Sequence, residues 1–134
     1  MPITLESRED GWVVFYSLCT PISFQELSDL QEKDLQIRNA VNHTVHELID
    51  VTGLTAIPDH PLRAWSFPSL SHPRAGTIVV VGGSNLVRSA SQDIHQLAHL
   101  KPPAFVETLD EGWAFLRNLI AQEKAANSYS TDAK

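Results

Sequence analysis

Gly82-Gly83-Ser84-Asn85 directly follows the β-prone run Thr77 to Val81 and opens a helical stretch. Free backbone N–H groups at such a turn can hold a phosphate or carboxylate. Arg88 lies one turn further on, so Gly82, Gly83, Ser84, Asn85 and Arg88 are the candidates for binding an anion or small ligand. The chain has no GxxxxGK[ST] loop and no GxGxxG fingerprint. A tight strand-to-helix turn with an N-cap accounts for the same residues without a ligand. Ser84 as a nucleophile would need a GxSxG elbow, and Leu86 occupies the last position. His95 and His99 could serve a triad by chain order only, which leaves a Ser hydrolase as the remote alternative. The same two histidines have a metal-gripping spacing, but they fall about 100° and 140° from Ile94 on the helix. They therefore face solvent, with neither an HExxH motif nor a third ligand. His43 and His46 flank a strand start and make no better set. Glu107 is a lone carboxylate, and Asp50 near a strand end can be satisfied by Thr52 and the loop beyond it. No catalytic residues, metal or cofactor are expected.

A second group lies in the irregular stretch from Thr55 to Arg74. Asp59 or His60 caps a short helix opened by Pro61, and Pro68 distorts it. Trp65 and Phe67 in that stretch would mark a contact surface if exposed. Asp59, His60, Arg63, Trp65 and Phe67 are thus the candidate partner-binding residues, whereas Trp12 and Trp113 read as core or half-core.

The elements that position these residues follow from hydrophobic periodicity. Ile3 to Glu6 alternates, Arg8-Glu9-Asp10-Gly11 turns, and Trp12 to Tyr16 is a continuous apolar run. Together they predict a hairpin whose second strand is covered on both faces. Ser23-Phe24-Gln25-Glu26 is a capping box, followed by Leu27, Leu30, Ile37 and Val41 at helical spacing to near Asn42. Val45 to Val51 is the next strand, broken by Thr52-Gly53. After the irregular stretch and a loop from Ser71 to Gly76 come the strand Thr77 to Val81 and a helix with the stripe Val87, Ala90, Ile94, Leu97 and Ala98. Ala104 to Glu107 is a last short strand. A second capping box, Thr108-Leu109-Asp110-Glu111, opens a helix that buries Trp113, Leu116, Leu119 and Ile120. Residues 126–134 read as a disordered tail behind a single domain at 1–125. The order β-β-α-β-α-β-α-β-α predicts an α/β fold with a mostly parallel five-stranded sheet. Thr20, Thr52, Ser84 and Thr108 would then share its carboxyl edge, where open sheets bind ligands.

The chain's 134 residues suit one domain, and its formal charge of −6 disfavours nucleic acid and anionic membranes. Cys19 is the only cysteine, which excludes an intrachain disulfide. No apolar run is long enough to insert into a bilayer, and the first residues lack the basic start and apolar stretch of a signal peptide. The expected location is a reducing cytoplasm.

The element order, with Glu47-Leu48-Ile49-Asp50-Val51-Thr52-Gly53-Leu54 as central strand, resembles the STAS family of bacterial anti-sigma-factor antagonists. His72-Pro73-Arg74-Ala75-Gly76 running into Ile78 to Val81, and Thr108 to Glu111 leading into Trp113 to Leu116, resemble a stand-alone STAS-like bacterial subgroup. That subgroup shades toward the CRAL-TRIO lipid-exchange fold. The likeness spans roughly Ile3 to Gln122. It implies a regulatory or protein-interaction module with a protein partner or self-association as a homodimer; the alternative is a binder of an anion or lipid-like molecule. In antagonist members a kinase phosphorylates a Ser in an Asp-Ser-Ser-Gly motif. Pro58-Asp59-His60-Pro61 stands in the matching place without that Ser, so phospho-switching is not carried over. Asp59 there is a fixed negative charge or a plain helix cap.

Overall fold

In a computed structural model the apolar runs become the strands of one sheet. The structure describes residues 3–19, 24–53, 72–83, 85, 88, 89, 92, 96 and 103–132. The strands are β1 (Ile3–Arg8), β2 (Val13–Cys19), β3 (Val45–Gly53), β4 (Ala75–Val81) and β5 (Ala104–Val106). The continuous helices are α1 (Phe24–Asn39) and α2 (Leu109–Asp132), and Asn85, Arg88, Ser89, Gln92 and Gln96 are also helical. The five strands lie in chain order β1-β2-β3-β4-β5. β1 pairs with β2 antiparallel, as the hairpin reading expects, and the other three pairings are parallel.

Alternation along the strands separates two faces. Val14, Tyr16 and Val45 point toward α1 and pack with Leu5, Leu30, Ile37 and Val41. Val13, Leu48, Val79 and Val81 point the other way and pack with Trp12 and with Trp113, Leu116 and Ile120 of α2. Trp12 and Trp113 are core residues, 8% and 9% exposed. Fully burying side chains of this size contributes roughly 1.5–3 kcal/mol each, so α2 is held chiefly by its Trp113–Leu116–Ile120 stripe. The Thr108 cap forms: the Glu111 amide donates to Thr108 Oγ1 at 3.1 Å, while Glu111 Oε1 accepts from the Thr108 hydroxyl at 3.1 Å in place of the backbone N–H of a full capping box.

Several boundaries differ from the sequence reading. β3 continues through Thr52 and Gly53, because a register shift between Ser17 and Cys19 lets Cys19 pair with Gly53. β4 begins two residues early, at Ala75, where it pairs with Val45. α1 ends at Asn39 and leaves Val41 to pack from the connection. α2 continues to Asp132, across residues read as a tail, since no Gly or Pro follows Gly112 to stop it. The hairpin turn holds Glu9 and Asp10 at φ 53° and 55°, a costly conformation for non-glycine residues. Tertiary contacts offset that cost: Glu9 accepts a 2.7 Å bond from Arg117 Nε on α2, and the Arg8 guanidinium lies 5.0 Å from the centre of the Trp113 ring.

Candidate functional site

At the carboxyl edge of the sheet, the described polar groups are engaged with one another. Gly82 and Gly83 have φ of 75° and 92°, the left-handed backbone that a strand-to-helix turn requires. The Gly82 N–H donates to the Val106 carbonyl at 2.9 Å. Arg88 turns back over the strand ends: Nε donates to the Gly82 carbonyl at 3.1 Å, and Nη2 donates to the Val106 carbonyl at 3.4 Å and to Glu107 Oε1 at 3.1 Å. Its guanidinium also lies 5.4 Å from the centre of the Phe105 ring. Asp50 is satisfied as its sequence position suggests, by the Thr52 amide at 3.0 Å and the Thr52 hydroxyl at 2.7 Å. Asn85 is exposed beside this rim. The structure thus brings Gly82, Gly83 and Arg88 together with Glu107. Ser84 lies outside the described residues, as do Thr20, His95, His99 and the partner-binding candidates Asp59, His60, Arg63, Trp65 and Phe67. Among the described residues, no group of three His, Cys, Asp or Glu side chains could hold a metal ion, and no helix is long and apolar enough to cross a membrane.

A different polar cluster lies beneath α1. Asp34 and Arg38 are 0% and 2% exposed, and Glu47 on β3 is 5% exposed. The Tyr16 hydroxyl donates to Asp34 Oδ2, and Arg38 Nε donates to Asp34 Oδ1. Arg38 Nη1 donates to the Val45 carbonyl at 3.2 Å, and Nη2 donates to Glu47 Oε1 at 3.1 Å. Gln31 Nε2 adds a 3.4 Å contact to the Tyr16 hydroxyl. Burial drives the Tyr16 hydroxyl far above its ordinary range, and the Glu47 and Asp34 carboxylates push the same way. Burial pulls Arg38 down, but Glu47 and Asp34 outweigh it and the guanidinium is held charged. Burial pushes Glu47 up to about 7 against the lowering effect of Arg38, and Asp34 adds to the rise.

The sequence reading assigns no role to these charges. A signal was present. Asp34 follows Leu30 by four residues and Arg38 precedes Val41 by three, so both fall on the apolar stripe, where an ionised side chain needs a partner. Glu47 likewise stands between Val45 and Ile49 on one face of a strand otherwise apolar there.

His46 is the second histidine that sequence reasoning set aside. It is 1% exposed and points toward α2. Its Nδ1 accepts from the Thr77 amide at 2.9 Å, and its Nε2 lies 3.0 Å from Glu123 Oε1. Nearby, His43 stacks on Trp12 with ring centres 3.9 Å apart. An open groove of about 390 Å³ lies at the opposite edge of the sheet, between β1 and α1. Leu5, Ile37 and Ala40 give it an apolar floor, and Ser7, Lys33 and Gln36 line its polar side.

Comparison of the chain with known protein families, curated proteins and solved structures finds no match.

Proposed function

We propose that the chain is a non-enzymatic regulatory or protein-interaction module of the STAS-like kind, acting in the cytoplasm through a protein partner or through self-association. One observation carries the reading. At the sheet edge where α/β proteins gather ligands, Arg88 is committed to the Gly82 and Val106 carbonyls and to Glu107, and Asp50 is committed to Thr52. Groups tied to one another in this way form a fixed surface suited to recognition by shape and charge. The Gly82–Asn85 loop, with the Asp59–Leu70 segment that the sequence marks, is the surface assigned to a partner.

A second reading has its own observation. The groove between β1 and α1 pairs an apolar floor with Lys33, a combination suited to a small amphiphile with an anionic head. Native mass spectrometry of the full chain separates the two. Interaction predicts a dimer or a protein complex whose mass carries no small adduct. A monomer retaining a small-molecule adduct would overturn that reading in favour of the ligand binder. Ester hydrolysis abolished by Ser84→Ala would overturn both.

A further inference from the structure

We propose that Glu47 carries a proton while α1 is seated on the sheet, and that losing this proton loosens α1, so that the fold contains a one-proton switch.

The charge count under the helix carries the inference. One guanidinium, Arg38, serves two carboxylates, Asp34 and Glu47, and all three are buried. With both carboxylates ionised, the described residues of this cluster carry one uncompensated negative charge, which a low-dielectric interior disfavours. Asp34 collects two donors, the Tyr16 hydroxyl and Arg38 Nε, whereas Glu47 is given one, Arg38 Nη2. The balancing proton therefore falls to Glu47. Among the described residues, the titratable groups facing it are Tyr16 on β2 and Asp34 and Arg38 on α1. The Tyr16 hydroxyl stays protonated because burial raises it. His72, ahead of β4, is lowered by burial and by Arg38 and Arg74. It is fixed between Asn39 Oδ1 at 2.7 Å and the Arg74 amide at 3.0 Å. In β4 the residue paired with Glu47 is the uncharged Ile78.

The direction follows from linkage. Burial raises Glu47 to about 7, and a glutamate freed to water titrates near 4.3. The seated state thus holds the proton more tightly, so seating is most favoured below about pH 4.3, weakens as the pH rises and levels off above about 7. The opening equilibrium of α1 should rise roughly tenfold per pH unit across that window, a few-hundred-fold in all. This slope is opposite in sign to ordinary acid denaturation.

Amide hydrogen exchange across α1, corrected for intrinsic rates and followed from about pH 5 to about pH 8.5, reads this equilibrium directly. Wild type should show opening that rises between about pH 5 and 7 and is flat beyond, and Glu47→Gln should flatten the profile. Opening independent of pH in wild type, or an unchanged profile in Glu47→Gln, would overturn the proposal. Should Glu47→Gln fail to fold, carbon-13 NMR of the wild-type Glu47 carboxyl decides. A midpoint near 7 supports the switch, and a midpoint in the ordinary glutamate range refutes it.

Discussion

Arg38→Met removes the cation that, among the described residues, pairs with Asp34 and Glu47 beneath α1, and keeps most of the aliphatic stem. The substitution deletes the donors to Asp34, Val45 and Glu47 together. It leaves two carboxylates buried, at 0% and 5% exposure, without the guanidinium that pairs with both. Removing one partner of a buried pair costs about 3–5 kcal/mol. Because this cation serves two anions, the loss at alkaline pH should be about 4 kcal/mol or more, a large part of a total stability of roughly 5–15 kcal/mol. With an m-value of about 1.5 kcal/mol/M, the urea midpoint should fall by roughly 2.5 M. Near pH 5.5 the loss should be smaller, since Glu47 then bears a proton and one buried charge is gone. The quadruple replacement Tyr16→Phe, Asp34→Leu, Arg38→Met, Glu47→Leu should recover most of the loss, because the charges leave together with the Tyr16 hydroxyl that donates to Asp34. Urea unfolding followed by tryptophan fluorescence suits the assay, since Trp12 and Trp113 are both core residues. A loss below about 1 kcal/mol for Arg38→Met at pH 8, with an unchanged m-value, would refute the view that this network is internal and desolvated.

Two further substitutions probe the frame around it. Thr108→Ala removes the oxygen that accepts the Glu111 amide and should cost about 1 kcal/mol in urea unfolding; no change would mean that α2 starts without its cap. Gly76→Ala should cost about 1–3 kcal/mol, because a Cβ there would overlap His46 Nδ1 and lie 2.6 Å from Thr44 Cγ2. His46 cannot yield without giving up the Thr77 amide, so a thermal melt unchanged by the substitution would contradict the close packing of β4 on β3.

What the sequence discloses depends on whether the deciding contacts are local. All five strands and the α2 stripe of Trp113, Leu116 and Ile120 are legible, because period-2 and period-3.6 patterns report which face is buried. The Thr108 cap is legible because its partner is three residues away. The continuation of β3 through Gly53 is not, since it depends on a shift in pairing with Cys19 on another strand. The partners within the buried network are hidden for the same reason, although the apolar stripe marks Asp34 and Arg38 as facing inward. Asp34 and Arg38 form an i, i+4 pair whose other partners, Tyr16 18 residues from Asp34 and Glu47 9 residues from Arg38, come from other elements. The contacts of Arg88 are hidden similarly, since its donors reach Val106 and Glu107, 18 and 19 residues along the chain.

Whether a single sequestered guanidinium fastens α1 to the sheet is read most directly from the Arg38 side-chain N–H signals in nitrogen-15 NMR. A buried fork bonded to Asp34, Glu47 and the Val45 carbonyl predicts a resolved Nε–H resonance that exchanges slowly with water and shows a nuclear Overhauser effect to the Tyr16 ring. A freely rotating guanidinium, averaged with those of the exposed arginines and exchanging at their rate, would contradict it.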